Sequence, residues 1–313
     1  MPLSTGNANR SAISTAVLTG SLEVLSKRLV LPNLVTRQGV ADFQPARGKT
    51  VMVRIPTALK AKRLPQGGTV EDSPLVETEI PVTLDTHSYS SVKADSWDLT
   101  VNLESYAQQV VAPQVNAVAE DVELRISTEL NRFVASDGKT DRDGQGQIIP
   151  AAIECSMSSF HAALVKADRA LNDNSVPLSG RALVVNPAFR EVIMNDPTYI
   201  KAADFGSAAL IQQGAAEKDK MYMGTILGFA VYLSNFVTGA VAFVKEAFCL
   251  ATGAPQAFAS AGYSGSLSKD GYGLRHTQGV DMSTLSERSV VDSFSGAVIF
   301  DARRAIGIRA KAV

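Results

Sequence analysis

The sequence predicts an α+β protein, one body carrying a thin two-stranded arm. Three observations predict it. Two strand-like segments, 50–56 and 77–85, flank a polar stretch that ends in the turn signal Pro65-Gln66-Gly67-Gly68. Val111, Val115, Val118, Val122, Ile126, Leu130 and Phe133 then recur at the 3–4 spacing of a helix face. Residues 156–310 alternate short helices with short strands, and no repeat of 20–50 residues is visible. A chain of 313 residues allows one large domain or two or three packed ones. The arm is too thin to be a domain, so one body with appendages is the expectation.

Residues 1–14 are small and polar and read as a flexible arm. From about Ser14, Leu18, Leu22, Leu25 and Leu29 fall on one helical face, which Pro32 is expected to end. In the first strand of the hairpin, Val51, Val53 and Ile55 share a face and Arg54 takes the other; in the second, Val82 and Leu84 alternate with polar residues. Charge on this hairpin is segregated. Residues 47–63 hold six basic residues (Arg47, Lys49, Arg54, Lys60, Lys62, Arg63) and no acid. Residues 64–86 hold five acids (Glu71, Asp72, Glu77, Glu79, Asp85) and no Lys or Arg. Two readings stand side by side. The strands neutralise one another across the hairpin, or the arm lies on a neighbouring subunit and its charges set the register. With few bulky apolar residues, such a hairpin needs something to lie on.

The helix that follows is the strongest element. Glu120, Asp121, Glu123, Arg125, Glu129 and Arg132 fill the sides away from its apolar stripe, and Pro113 suits a first turn. About 23 residues give roughly 35 Å, the length of a structural beam. Residues 137–146 form a loop. It resembles a calcium loop only superficially, since with Gly144 as the turn glycine Lys139 and Pro150 would hold the first and last ligand positions. Beyond it, Phe160, Leu164, Ala167 and Leu171 with Met157 make a helix face. Residues 181–185 read as a buried strand, Pro187 opens a helix through Met194, and 201–220 reads as helix then loop. Strands are expected at 228–234, 241–250, 272–278, 295–300 and 305–310.

Several function classes are excluded or disfavoured. Thirty Lys and Arg against 31 Asp and Glu leave a formal charge of −1, which excludes a nucleic-acid binder working by bulk charge. Charged residues make up 19%, below the roughly 25% usual for soluble domains, which fits a surface partly covered by partners. Cys155 and Cys249 are far apart and read as two thiols in a reducing compartment; His87, His161 and His276 are isolated, so no zinc spacing exists. There is no G-x-x-x-x-G-K-[ST]; Gly271-Tyr272-Gly273 lacks a third glycine, and Gly262-Tyr263-Ser264-Gly265 is not a nucleophile elbow. Asp95 and Asp98 flank Trp97, the single tryptophan, and read as a packed turn rather than a carboxylate pair. No window approaches 18 consecutive apolar residues, and the start of the chain lacks the pattern of a secretory signal, so a soluble protein made inside the cell is expected.

The order of parts, together with a few local runs, carries a family resemblance. The runs are Gly48-Lys49-Thr50-Val51-Met52-Val53-Arg54-Ile55-Pro56 entering the hairpin and Gln114-Val115-Asn116-Ala117-Val118-Ala119-Glu120-Asp121-Val122-Glu123 on the long helix. Ala182-Leu183-Val184-Val185-Asn186-Pro187, residues 224–234 and Glu287-Arg288-Ser289-Val290-Val291-Asp292 add to it. The chain resembles the major capsid protein of tailed bacteriophages, with the Hong Kong 97-like fold, over nearly its whole length.

The resemblance implies a division into an N-terminal arm (1–40), an extended loop (41–98) and a peripheral domain with its spine helix (99–140). An axial domain (141–286) and C-terminal strands returning to the peripheral domain (287–313) complete it. It implies a non-enzymatic shell protein without cofactors, residing in the virion after synthesis in the host cytoplasm. Hexamers and pentamers of the chain would form an icosahedral shell around double-stranded DNA, which is contacted non-specifically. Arg54, Lys60, Lys62, Arg63, Glu71, Asp72, Glu77 and Glu79 would make contacts between subunits, and the seven apolar helix residues would form the spine core. A separate scaffolding protein and a portal are expected, decoration proteins are compatible, and a membrane partner is not expected. Some relatives crosslink a loop lysine to a neighbour's asparagine. Lys60 and Lys62 fit by position, but nothing marks the other groups such a bond needs. Two alternatives remain at this point: an encapsulin-like nanocompartment shell, and an α/β enzyme without a recognisable motif.

Overall fold

A computed structural model describes residues 29–38, 50–55, 61–63, 69, 72, 78–95, 107–156, 159–195, 221–259, 263–269 and 272–311. The helix expected around Leu18, Leu22 and Leu25, the Trp97 turn and the 201–220 segment lie outside these residues.

The long helix organises the body. A wide turn at Ala107–Val111 leads into a helix at Ala112–Ala135. Pro113 sits in the first turn, where its missing N–H costs nothing. The seven apolar stripe residues, Val111, Val115, Val118, Val122, Ile126, Leu130 and Phe133, are each at most 2% exposed. The first three pack with Leu29, Tyr272, Leu274 and Val291. The last four pack with Leu31, Val184, Val241, Phe243, Phe248 and Ile299. One helix therefore backs two sheets.

The first sheet runs β1 (Thr36–Gln38), β10 (Phe248–Gly253), β13 (Ser286–Ile299), β12 (Tyr272–Asp281) and β11 (Tyr263–Lys269), with β4 (Thr86–Asp95) also paired to β13. The second runs β5 (Ile153–Cys155), β14 (Ala305–Ala310), β9 (Ala240–Val244), β6 (Arg181–Val185), β8 (Phe229–Leu233) and β7 (Tyr222–Ile226). Its strand β6 is buried at every residue because both its faces are covered. Ala182 and Val184 meet the long helix. Leu183 and Val185 meet helices at Phe160–Asp173 and Pro187–Asn195. The third sheet is a hairpin of β2 (Thr50–Ile55) and β3 (Thr78–Thr83).

The sequence expectations need four corrections. Pro32 opens a short helix, Leu31–Leu34, instead of ending one, because proline is tolerated in a first turn. The strand expected at 241–250 is two, β9 and β10, parted by a 3₁₀ turn at Lys245–Ala247 whose exposed Lys245 and Glu246 interrupt the apolar run. The chain changes sheet at that turn. The strand expected at 295–300 starts at Ser286, in a Ser-rich stretch whose small polar side chains hide its length. Residues 86–95, expected in the arm, are β4 and pair with β13 in the body. Strands β10 to β12 join the first sheet, and β14 pairs with β5 and β9 in the second.

Close backbone crossings fix the helix on the sheets. A Cβ on Gly307 would lie 2.0 Å from the Phe133 carbonyl oxygen, and one on Gly239 2.7 Å from Val134 Cγ1. Only glycine lets β14 and the loop before β9 pass under the last turns of the helix.

Candidate assembly surface

The arm leaves the body from a built base. In its register Thr50 faces Thr83 and Arg54 faces Glu79. The Thr50 and Thr83 hydroxyls share a hydrogen bond of 2.8 Å. Ile80 and Val82 are buried against Cys249, Ala251 and Phe300. The hairpin therefore lies, at its base, on β10 and β13 of its own chain. Its other face is bare, with Met52 51% exposed beside exposed Pro81. Farther out, Lys62, Arg63 and Asp72 are exposed, and Lys62 Nζ donates to the Asp72 carbonyl oxygen at 3.3 Å. Lys60, Glu71 and Glu77 lie outside the described residues, and of Arg54 only the backbone register is described.

Asp85, counted with the acidic leg, is used inside the chain. It accepts from Arg125 Nη2 at 2.8 Å on the long helix, while Arg125 Nη1 donates to Glu129 at 3.2 Å. Arg132 Nη1 donates to the other Glu129 oxygen at 3.0 Å. This ladder fixes the angle at which the arm's return strand meets the body. The two readings of the arm's charge thus divide by residue. Asp85 serves its own chain, Arg54 and Glu79 are register neighbours, Lys62 meets the Asp72 backbone within the chain, and Lys62, Arg63 and Asp72 are exposed.

Three buried polar constellations hold the surroundings, and sequence reasoning missed all of them. Glu123, 7% exposed, accepts from the backbone N–H groups of Val30 at 3.3 Å and Leu31 at 3.2 Å. Burial pushes its pKa up, and these two donors oppose the shift. The carboxylate caps the short helix Leu31–Leu34 and so pins the incoming chain to the long helix. Gln114 donates to the Ser90 and Ser289 carbonyls at 3.1 and 2.9 Å and accepts from the Ser289 hydroxyl at 2.8 Å. That hydroxyl proton is thereby spent, so His276 Nε2, 3.0 Å from the Ser289 oxygen, is the donor. His276 Nδ1 is then bare and buried, with no partner among the described residues, and burial pushes the His276 pKa down to about 4. In the third, Asp292, 1% exposed, accepts from Arg275 Nε at 3.0 Å, from Arg275 Nη2, and from His87 Nε2 at 2.8 Å. The Arg275 guanidinium lies over the Phe258 ring at 4.2 Å. The first joins the short helix to the long one, the second joins β4, β12 and β13 to the long helix, and the third joins β4, β12 and β13 to one another. A sequence clue existed only for Glu123, a carboxylate between Val122 and Ile126 on the edge of the apolar stripe.

Chemically, these groups are turned inward onto each other and onto backbone, an arrangement suited to holding shape. Among the described residues no group of three or more His, Cys, Asp or Glu side chains is placed to hold a metal ion. No described helix is long and apolar enough to cross a membrane.

A helix backing two sheets, with a hairpin as a third, small sheet, is an architecture that solved structures share. The likeness to a solved structure from Mycobacterium phage Che8 has a TM-score of 0.58 at 16% identity, over 90% of each chain. The capsid of cyanophage P-SCSP1u gives 0.59 at 16% identity, over 89% of this chain and 86% of that one. The capsid of Ralstonia phage GP4 gives 0.54 at 15% identity, over 88% and 86%. At these identities the likeness is one of fold: the chain has the Hong Kong 97-like fold. No protein-family model and no curated protein matches it.

Proposed function

We propose that this chain is a major capsid protein, the structural subunit of an icosahedral shell that encloses the double-stranded DNA genome of a tailed phage. One observation carries the reading. A hairpin whose base packs on its own body continues outward with exposed Lys62, Arg63 and Asp72, on a chain with the shell-subunit fold. A shell subunit meets many copies of itself through different patches, so it needs a reaching arm and a rigid body more than a pocket. In this reading the role is structural, without catalysis. The arm and its eight charged residues contact the next subunit of a hexamer or pentamer, and the seven apolar helix residues form the spine core. The second sheet with its two helices supplies the axial part. A separate scaffolding protein, a portal and possible decoration proteins are the expected partners, with DNA contacted non-specifically. A formal charge of −1 accords with an interior into which DNA is driven rather than attracted.

A sedimentation assay on the expressed full chain, with and without a scaffold, tests this. The wild-type chain should pellet as large particles. Reversing Lys60, Lys62 and Arg63 to Glu should leave the chain folded and in the supernatant. Val118→Asp should abolish folding itself, since it puts a charge into the spine core. A wild-type chain that never pellets as particles overturns the reading, and a triple variant that pellets normally overturns the arm's part in it.

A further inference from the structure

One buried carboxylate lies outside the three polar constellations. Asp143 sits in the loop after the long helix and is 7% exposed. Its Oδ1 accepts the backbone N–H groups of Gln145 at 3.0 Å and Gln147 at 2.7 Å. Its Oδ2 is buried and meets no donor among the described residues. The same turn holds a second oxygen of this kind, for Gln145 Oε1 is also buried with no partner among the described residues. Neither a carboxylate nor an amide oxygen can donate a hydrogen bond. The neighbouring guanidinium groups are turned onto backbone. Arg142 Nη1 donates to the Gly146 carbonyl at 2.8 Å, and Arg132 Nη2 donates to the Arg142 carbonyl. A buried charge without a positive partner is costly, and two bare acceptors in one turn call for a positive centre that takes lone pairs from both.

The turn is open on its outer side. Gly144 and Gly146 are exposed, and a Cβ on either would meet nothing within 4 Å, so water and small ions have a way in. The turn is also a joint. Ser136 Oγ, at the end of the long helix, donates to the Ile149 carbonyl at 3.0 Å. Gln147 Nε2 donates to the Phe300 carbonyl at 3.0 Å, and Gln147 Oε1 accepts from the Ala302 N–H at 3.2 Å. Phe300 and Ala302 lie where the chain crosses from β13 in the first sheet to β14 in the second.

We propose that Asp143 Oδ2 and Gln145 Oε1 are ligands of a hard divalent cation, Mg²⁺ or Ca²⁺, which keeps water on its remaining positions. All-oxygen ligands suit such ions rather than zinc or copper. A single carboxylate makes the site weak, with a dissociation constant of about 0.1–1 mM. The ligand pair is unlike a calcium loop of the helix–loop–helix kind, whose first and last positions Lys139 and Pro150 would hold. The bound ion offsets the buried charge and stiffens the joint between the long helix and the two sheets. It does so in the free subunit, so the proposal does not rest on the shell reading.

The test is thermal unfolding of the purified full chain. About 10 mM magnesium or calcium chloride should raise the midpoint by about 2–4 °C over EDTA at matched ionic strength. A shift with one ion and not the other supports the site and selects the ion by size. Hydrogen exchange at the Gln147 and Ala302 N–H groups should slow when the ion is present. Asp143→Asn should lose the midpoint shift, and Gln145→Glu, which adds a charged ligand, should enlarge it. No shift with either ion overturns the proposal, as does an equal shift in Asp143→Asn or with sodium chloride alone. A Gln145→Glu chain destabilised equally with and without the ion overturns it too, by making the Gln145 amide a hydrogen-bond donor to Asp143.

Discussion

His276 is built to stay neutral. Its Nε2–H is committed to Ser289, its Nδ1 has no partner among the described residues, and its pKa is pushed down to about 4 from 6.5. Between those values the unfolded chain takes up a proton that the folded chain refuses, so lowering the pH through this window removes stability. The stabilisation is complete above pH 6.5, and the loss on reaching pH 4 is about 3 kcal/mol. Denaturant titrations across pH 4 to 7 should show it, and His276→Gln, which does not titrate, should flatten the slope over that window. An unchanged slope would assign the pH dependence to other groups. Gly307 is a second residue-level dependence. Alanine there drives a methyl group into the Phe133 carbonyl, and the thermal midpoint should fall by the equivalent of about 2 kcal/mol.

At the scale of elements, the Glu123 clamp decides where the N-terminal part of the chain enters the body. Glu123→Ala leaves the Val30 and Leu31 N–H groups buried without acceptors, at a cost of about 1–3 kcal/mol. Hydrogen exchange at Val30 and Leu31 should accelerate well before global unfolding, while exchange in the middle of the long helix stays slow. Equal acceleration everywhere would mean the clamp is part of the global core only. This clamp also marks the limit of what the sequence discloses. The long helix was legible because seven apolar residues repeat at its period, and β6 because Ala182 to Val185 form an apolar run. Strand β4 was not, since Thr86 to Asp95 is mostly Ser, His, Lys and Asp, and it is a strand because β13 pairs with it. Nor was the passage of β9 into β10 between sheets, which two polar residues signal no more strongly than an ordinary turn. The arm's base followed from its alternating strands. The buried Gln114–Ser289–His276 and Arg275–Asp292–His87 groups join positions far apart in the chain and leave no local pattern.

For the whole molecule, the near-neutral charge hides an uneven distribution. Basic residues gather before Leu64 and acids after it on the arm, and Asp85 is drawn back into the body. The low charged fraction of 19% is in keeping with a surface that neighbours cover. Assembly should accordingly weaken as salt screens the arm's charges, with particle yield falling between about 0.1 and 1 M salt, where the screening length drops from about 10 to 3 Å. The most direct measurement is electron microscopy of the purified full-length chain, expressed with and without a scaffold. Closed shells or tubes, with each arm laid across the adjacent subunit, are the expected result. Small soluble oligomers under every condition, with the arm folded onto its own body, would contradict it.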